Sequence, residues 1–124
     1  MQPGFSWIIT PYVGATILSL AGDLDLAAEV EMRHCMAEAI SGAEPPRVVI
    51  DLKSVSFCDS TGLSALLTAL SGAEAAGGVL VLSEVHPRIR RVLAITGLHR
   101  RFTSYGTVEE AIAALPRPVA SEVL

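Results

Sequence analysis

Reactive side chains in this chain gather at one place. Asp59-Ser60-Thr61-Gly62 sets a carboxylate, two hydroxyls and a glycine in a row, with the Cys58 thiol just before them. The run Val48-Val49-Ile50 precedes it and Leu63-Ser64-Ala65-Leu66-Leu67-Thr68-Ala69-Leu70 follows it. A hydroxyl there could be a nucleophile, a phosphoryl acceptor, or a cap for the first N–H groups of a helix. A helix start also offers unpaired N–H donors and the positive end of the helix dipole.

Enzymatic readings lack their other parts. Ser60 is not in a G-x-S-x-G elbow, because position 58 is Cys. His34, His86 and His99 lie in helical or turn segments, and none is placed by sequence as the base of a nucleophilic triad. Asp-Ser-Thr-Gly is one residue longer than the Asp-Thr-Gly of aspartic proteases, and the mixed α/β pattern does not suit their all-β fold. Asp51 ends an apolar strand, as a receiver-domain phospho-acceptor would. However, Pro11-Tyr12 follows the first strand where paired acids are needed, and the lone lysine is Lys53. There is no G-x-x-x-x-G-K and no G-x-G-x-x-G. Cys35 and Cys58 lack metal-like spacing and read as free, buried thiols. A small hydrolase using Ser60 or Cys58 would have no legible base. The expectation is a non-enzymatic protein with no metal and no cofactor.

The elements that would hold the segment follow from periodicity and punctuation. Phe5–Thr10 and Ala15–Ala21 are β-rich runs around Pro11-Tyr12-Val13-Gly14, which reads as a hairpin. Asp23 or Asp25 would cap a helix over Leu26–Ser41, with Leu26, Val30, Arg33 or His34, Ala37 and Ile40 near one face. Pro45-Pro46 stops it. Arg47–Leu52 and Val79–Leu82 are apolar without alternation, as in strands covered on both faces. Leu63, Leu66, Leu67 and Leu70 form a helical stripe that Gly77-Gly78 ends. His86–Ile95 is a short helix opened by Pro87 and broken at Thr96-Gly97-Leu98. Arg101-Phe102-Thr103 reads as a brief edge strand. Thr107-Val108-Glu109-Glu110 is a capping box for a helix over Val108–Leu115. The order β-β-α-β-α-β-α-β-α predicts an α/β fold. Its mixed sheet of four to five strands has an antiparallel N-terminal hairpin followed by parallel strands, with about four helices.

Length and composition bound the rest. The 124 residues fit a single domain, with a core over about 5–115 and a loose tail over 116–124. Half the residues are apolar (51%), and few are aromatic (5%). A net charge of −4 argues against nucleic acid as a partner. Five arginines fall between Arg88 and Arg101, diluted by Leu, Ile and Val, and read as a solvated face. No apolar run approaches the roughly 20 residues that span a bilayer. No signal-peptide pattern is present, so the expected compartment is the cytoplasm.

Three landmarks, Gly22-Asp23-Leu24-Asp25, the stretch Asp51–Leu63 and Thr96-Gly97-Leu98, occur in the order seen in the STAS domain family. The chain resembles its small stand-alone bacterial members, the anti-sigma factor antagonists, over about residues 5–115. The resemblance implies phosphorylation of the hydroxyl after the Asp by the partner, an anti-sigma factor that is a GHKL-type serine kinase. Ser60 is then the acceptor, Asp59 its flanking acid, and Asp25 an acid beside the site. Cys58 stands where Met is common. A serine phosphatase is a further partner to expect. The docking surface expected comprises Asp23, Asp25, Asp59, Ser60, Thr61, Gly62 and Ser64, with Ala65 and Thr68 small enough for close approach. The alternative within the family is an interaction module of another regulator or transport system. At the level of residues, helix capping by Ser60 and Thr61 stays open beside the switch.

Overall fold

The computed structural model describes residues 4–116; of the tail expected over 116–124, all but residue 116 lies outside them. Five strands form one sheet in sequence order: β1 (Ser6–Tyr12), β2 (Ala15–Ala21), β3 (Arg47–Ser54), β4 (Val79–Ser83) and β5 (Ser104–Tyr105). β1 and β2 are an antiparallel hairpin with Tyr12 opposite Ala15, so Val13-Gly14 makes the turn. β2, β3, β4 and β5 pair in parallel. The helices are α1 (Glu29–Ile40), α2 (Ser60–Ala75), α3 (Pro87–Thr96) and α4 (Val108–Ala114). This is the expected mixed α/β architecture.

Alternation along β3 divides the core. Val48, Ile50 and Leu52 face one side, packed with Leu18, Leu80 and Leu82 and with residues of α1, α2 and α3. Val49 faces the other side, with Val81, Ala15, Ala111 of α4 and Leu115 just after it. Both faces of the central strands are covered, hence their unbroken apolar runs. Leu66 and Leu70 of α2 are buried, Leu63 nearly so, and Leu67 is half-buried. Ala65, Ala69 and Ala73 are also buried, which lets α2 lie close to its neighbours.

Several expectations are corrected. The α1 segment opens with a 3₁₀ turn at Leu26–Ala28 before the α-helix. Met32, Cys35, Met36 and Ala39 face inward, while Leu26 is 68% and Val30 82% exposed. Both sets are spaced as helical stripes, and the sheet covers the Met32, Cys35, Met36 and Ala39 stripe, leaving Ala37 exposed with Leu26 and Val30 and Ile40 half-buried. Asp25 occupies the cap position, but neither its side chain nor that of Asp23 caps the turn. The last strand is Ser104–Tyr105 rather than Arg101–Thr103. Leu98–Arg100 is a 3₁₀ turn, and the Phe102 N–H bonds back to Leu98 O at 3.2 Å. Phe102 is therefore a buried anchor, and pairing begins where Leu82 N–H donates to Thr103 O (3.0 Å). Helix α2 begins at Ser60, three residues before the apolar stripe.

Candidate functional site

Two loops at the carboxyl ends of β2 and β3 are sewn together by backbone hydrogen bonds. Gly22 N–H donates to Ser54 O (3.2 Å), Leu24 N–H to Phe57 O (3.0 Å), and Asp59 N–H to Leu24 O (3.1 Å). Leu24 and Cys58 form an isolated parallel bridge, so strand pairing resumes beyond a register shift between Ser19 and Ala21. Leu24 and Cys58 are buried, and the residues flanking them are turned outward. Asp23 and Phe57 are exposed, and Asp25 and Asp59 half-buried. Asp23 and Asp25 are thereby brought beside the start of α2.

Gly62 locks this junction. A Cβ built there would lie 2.3 Å from Leu24 O, 2.7 Å from Cys58 Sγ and 2.7 Å from Leu24 Cβ. The residue must be glycine because the first turn of α2 rests on the other loop's backbone. Gly62 is therefore a packing residue; being buried, it presents no surface to a partner. Ala65 is also buried, so of the small groups expected to admit a partner only Ser64 and Thr68 are exposed.

The cap of α2 is Asp59. Its Oδ1 accepts hydrogen bonds from Thr61 N–H (2.8 Å) and Gly62 N–H (3.1 Å). The carboxylate thus satisfies the donors that a capping hydroxyl would otherwise serve. Among the described residues neither hydroxyl makes a hydrogen bond; Ser60 is exposed and Thr61 half-buried. The capping reading of the two hydroxyls is corrected, because the acid before them does that work.

The other reactive groups are occupied elsewhere. Asp51 Oδ2 accepts from Ser19 Oγ (3.3 Å) and Oδ1 from Lys53 N–H (3.0 Å). By alternation it shares the α4 side of β3 with Val49, away from α2. Burial, with the Asp59 carboxylate adding to it, pushes the Cys58 thiol from the ordinary 9.0 to about 12. Burial does the same to Cys35, aided by Glu31 and opposed by backbone hydrogen bonds. Neither is a thiolate near neutral pH. His86 Nδ1 accepts from Arg88 N–H (3.1 Å), capping α3. His34 meets the Trp7 ring edge-on at 5.9 Å, and His99 Nδ1 lies 3.4 Å from Leu93 O. No group of metal-ligating side chains occurs among the described residues. Among them, too, no helix is long and apolar enough to cross a membrane.

One feature of the site was not legible in the sequence. The exposed Leu26 and Val30 extend an apolar surface from the acidic loop, and Phe57, 46% exposed, adds an aromatic on the other loop. Two apolar stripes compete in α1, and periodicity cannot say which one the sheet covers.

Comparison with known proteins places this geometry in context. A family described as STAS domain matches residues 7–111. The chain is 30% identical to an anti-sigma F factor antagonist of Paenibacillus polymyxa over 102 residues, covering 82% of this chain and 87% of that protein. It is similar in fold to an anti-sigma factor antagonist of Mycobacterium paratuberculosis: TM-score 0.80, 24% identity, 90% of this chain and 94% of that one. The Bacillus cell fate determinant SpoIIAA in its phosphorylated form superposes with TM-score 0.66 at 25% identity, covering 87% of this chain and 97% of that one.

Proposed function

The chain belongs to the STAS domain family, and from that premise we propose that it is an anti-sigma factor antagonist switched by phosphorylation of Ser60. Unphosphorylated, it binds an anti-sigma factor that is a GHKL-type serine kinase and so frees a sigma factor. Phosphorylated, it lets go, and a serine phosphatase resets it. The protein works in the cytoplasm, without catalysis, cofactor or nucleic acid contact of its own. The observation that carries this reading is the division of labour at α2. Asp59 holds the helix start, so the exposed Ser60 hydroxyl can be modified without unmaking a cap.

The physics of the modification fits a switch that leaves the fold intact. A phosphate adds about −1.5 to −2 charge and strong acceptor oxygens. At a helix start the dipole favours that charge. The surroundings favour it less, since Asp59 already fills the cap and Asp23 and Asp25 lie on the adjoining loop. The effect then falls on the docking surface, through charge and bulk. Asp23, Asp25, Asp59, Ser60, Thr61 and Ser64 form its polar part. Leu26 and Val30, exposed on the same loop and the helix after it, supply apolar contact area. Gly62 acts from beneath, by setting the α2 start against Leu24.

The test is to incubate the protein with its cognate kinase and ATP and map the phosphosite by mass spectrometry. Phosphate is expected on Ser60, with no incorporation into Ser60→Ala and lost partner binding by Ser60→Asp. Phosphate on other residues alone, or full binding by Ser60→Asp, overturns the proposal.

A further inference from the structure

The domain carries its charge unevenly. Residues 85–108 hold five arginines and no acid, and with a net charge of −4 for the chain this +5 leaves −9 for all the rest. Helix α3 supplies three of the five, Arg88, Arg90 and Arg91, all exposed. Between α3 and the loop after β3 lies a groove of about 580 Å³. Phe57, Ile89 and Val92 line it with apolar groups, and Arg88 and Arg91 give it its charge.

Stability alone does not account for these arginines. Arg88 stands in the first turn of α3, where the helix dipole disfavours a cation, and that turn has no acid. Arg88 and Arg91 are three residues apart on one face, so their like charges repel. The ion pairs among the described residues are Arg33 with Glu29 and Arg101 with Glu74, so neither groove arginine is paired with an acid among them. At the helical repeat, Val92 and Ile95 share the face of Arg88 and Arg91, while Arg90 projects from the opposite one. Ile95 is 77% exposed, and Phe57 leaves an aromatic ring in water beside this face. Arginine and aromatic side chains are the types that anchor protein interfaces.

We propose that this groove takes an acidic segment of a protein partner, with carboxylates on Arg88 and Arg91 and one large apolar side chain against Phe57 and Val92. Charge complementarity selects the occupant, since two exposed cations without acids flank an apolar hollow. The groove reaches Cys58, next to Asp59, so it continues the surface around Ser60. Along that surface the charge changes sign, from Asp23, Asp25 and Asp59 to Arg88 and Arg91. A partner is thereby held in one orientation, its acidic segment on α3 and away from the β2 loop. A protein fits better than a nucleic acid, because the rest of the chain is strongly acidic. That the partner is the anti-sigma factor rests on the function proposed above; the chemistry of the groove does not.

The experiment is a titration of the ¹⁵N-labelled full chain with N-acetyl-Glu-Asp-Phe-Leu-Glu-Asp-amide, followed by amide NMR. A Gln-Asn-Phe-Leu-Gln-Asn counterpart removes the charge, and Glu-Asp-Gly-Gly-Glu-Asp removes the apolar anchor. Saturable shifts at Phe57, Cys58, Ile89, Arg91 and Val92 are expected with the first peptide, none with the second and weaker ones with the third. Arg88→Gln and Arg91→Gln should each weaken binding about two- to fivefold, and Arg90→Gln, on the opposite face, should not. Ser60→Ala should bind the peptide as the wild type does, so a failed switch leaves the groove standing. Phosphorylation of Ser60 without peptide binding would sink the groove alone. No saturable shift with the acidic peptide, equal binding of its uncharged counterpart, or equal losses from all three arginine variants overturns the proposal. So does tighter binding of a single-stranded oligonucleotide, which would make the partner a nucleic acid. Self-association in sedimentation that Arg91→Gln abolishes also overturns it, by making the occupant a second copy of this chain.

Discussion

Two helices of this domain begin beside a hydroxyl residue and a glycine, and they use them in opposite ways. At α4 the Thr107 Oγ accepts the Glu110 N–H at 3.0 Å, so the hydroxyl is the cap. Glu110 Oε1 reaches back to the Gly106 N–H at 3.1 Å, one residue beyond the usual capping-box partner, the N–H of Thr107. At α2 the cap is Asp59, and the Ser60 and Thr61 hydroxyls are left over. The glycines differ in the same sense. Gly62 is pressed onto the Leu24 backbone, whereas a Cβ on Gly106 would meet only the flexible end of Glu110, at 3.2 Å. The α4 start is a local device that spends its hydroxyl on stability. The α2 start is held from outside by a second loop and by an acid, which is what leaves a serine free for modification.

The glycines break the comparison most sharply. Gly62→Ala drives a methyl into the Leu24 carbonyl and is expected to cost roughly 3 kcal/mol, read by denaturant unfolding. Gly106→Ala should stay within about 0.5 kcal/mol. Equal effects would mean that α2 does not depend on the other loop. The caps come next. Asp59→Ala removes the acceptor of two N–H groups and should cost about 1–2 kcal/mol, against about 1 kcal/mol for Thr107→Ala.

A pH effect separates the two ends further. Both thiols titrate near 12 in the fold against an ordinary 9.0, so the folded state holds protons that the unfolded chain releases. The stability this contributes is complete below about pH 9 and is lost as pH rises through the window toward 12. Cys58→Ala should flatten the alkaline slope of stability whatever its absolute cost, while Thr107→Ala leaves that slope unchanged. Ser60→Ala is the smallest perturbation. It should change stability by less than about 0.5 kcal/mol. A loss near that of Thr107→Ala would show that the Ser60 hydroxyl caps after all.

Most of the architecture was readable in the chain because its signals are local. Val48-Val49-Ile50 needs both faces covered wherever it sits, and Pro87, Gly97 and Thr107 mark helix ends through their own backbone and side-chain chemistry. Where readings competed, locality failed. Leu26 and Val30 looked like core because they share one helical face with Ala37 and Ile40, but the sheet took the Met32, Cys35, Met36 and Ala39 stripe. The edge strand slipped from Arg101–Thr103 to Ser104–Tyr105 because a 3₁₀ turn buried Phe102 first. The five arginines read as a solvated face, and Arg88, Arg90, Arg91, Arg100 and Arg101 are indeed exposed.

By itself the sequence determined the mixed α/β order, the polar junction at Asp59–Gly62 and the amphipathic start of α2, since periodicity and turn chemistry act over a few residues. Only the tertiary structure decided which side chain caps α2, why position 62 must be glycine, which face of α1 is outside, and that Arg47 is buried with no carboxylate paired to it among the described residues. The cap is a choice among neighbours, Asp59 with N–H groups two and three residues on, but the other three depend on contacts between segments distant along the chain: Leu24 with Gly62, α1 with the sheet, and Arg47 with Gly14.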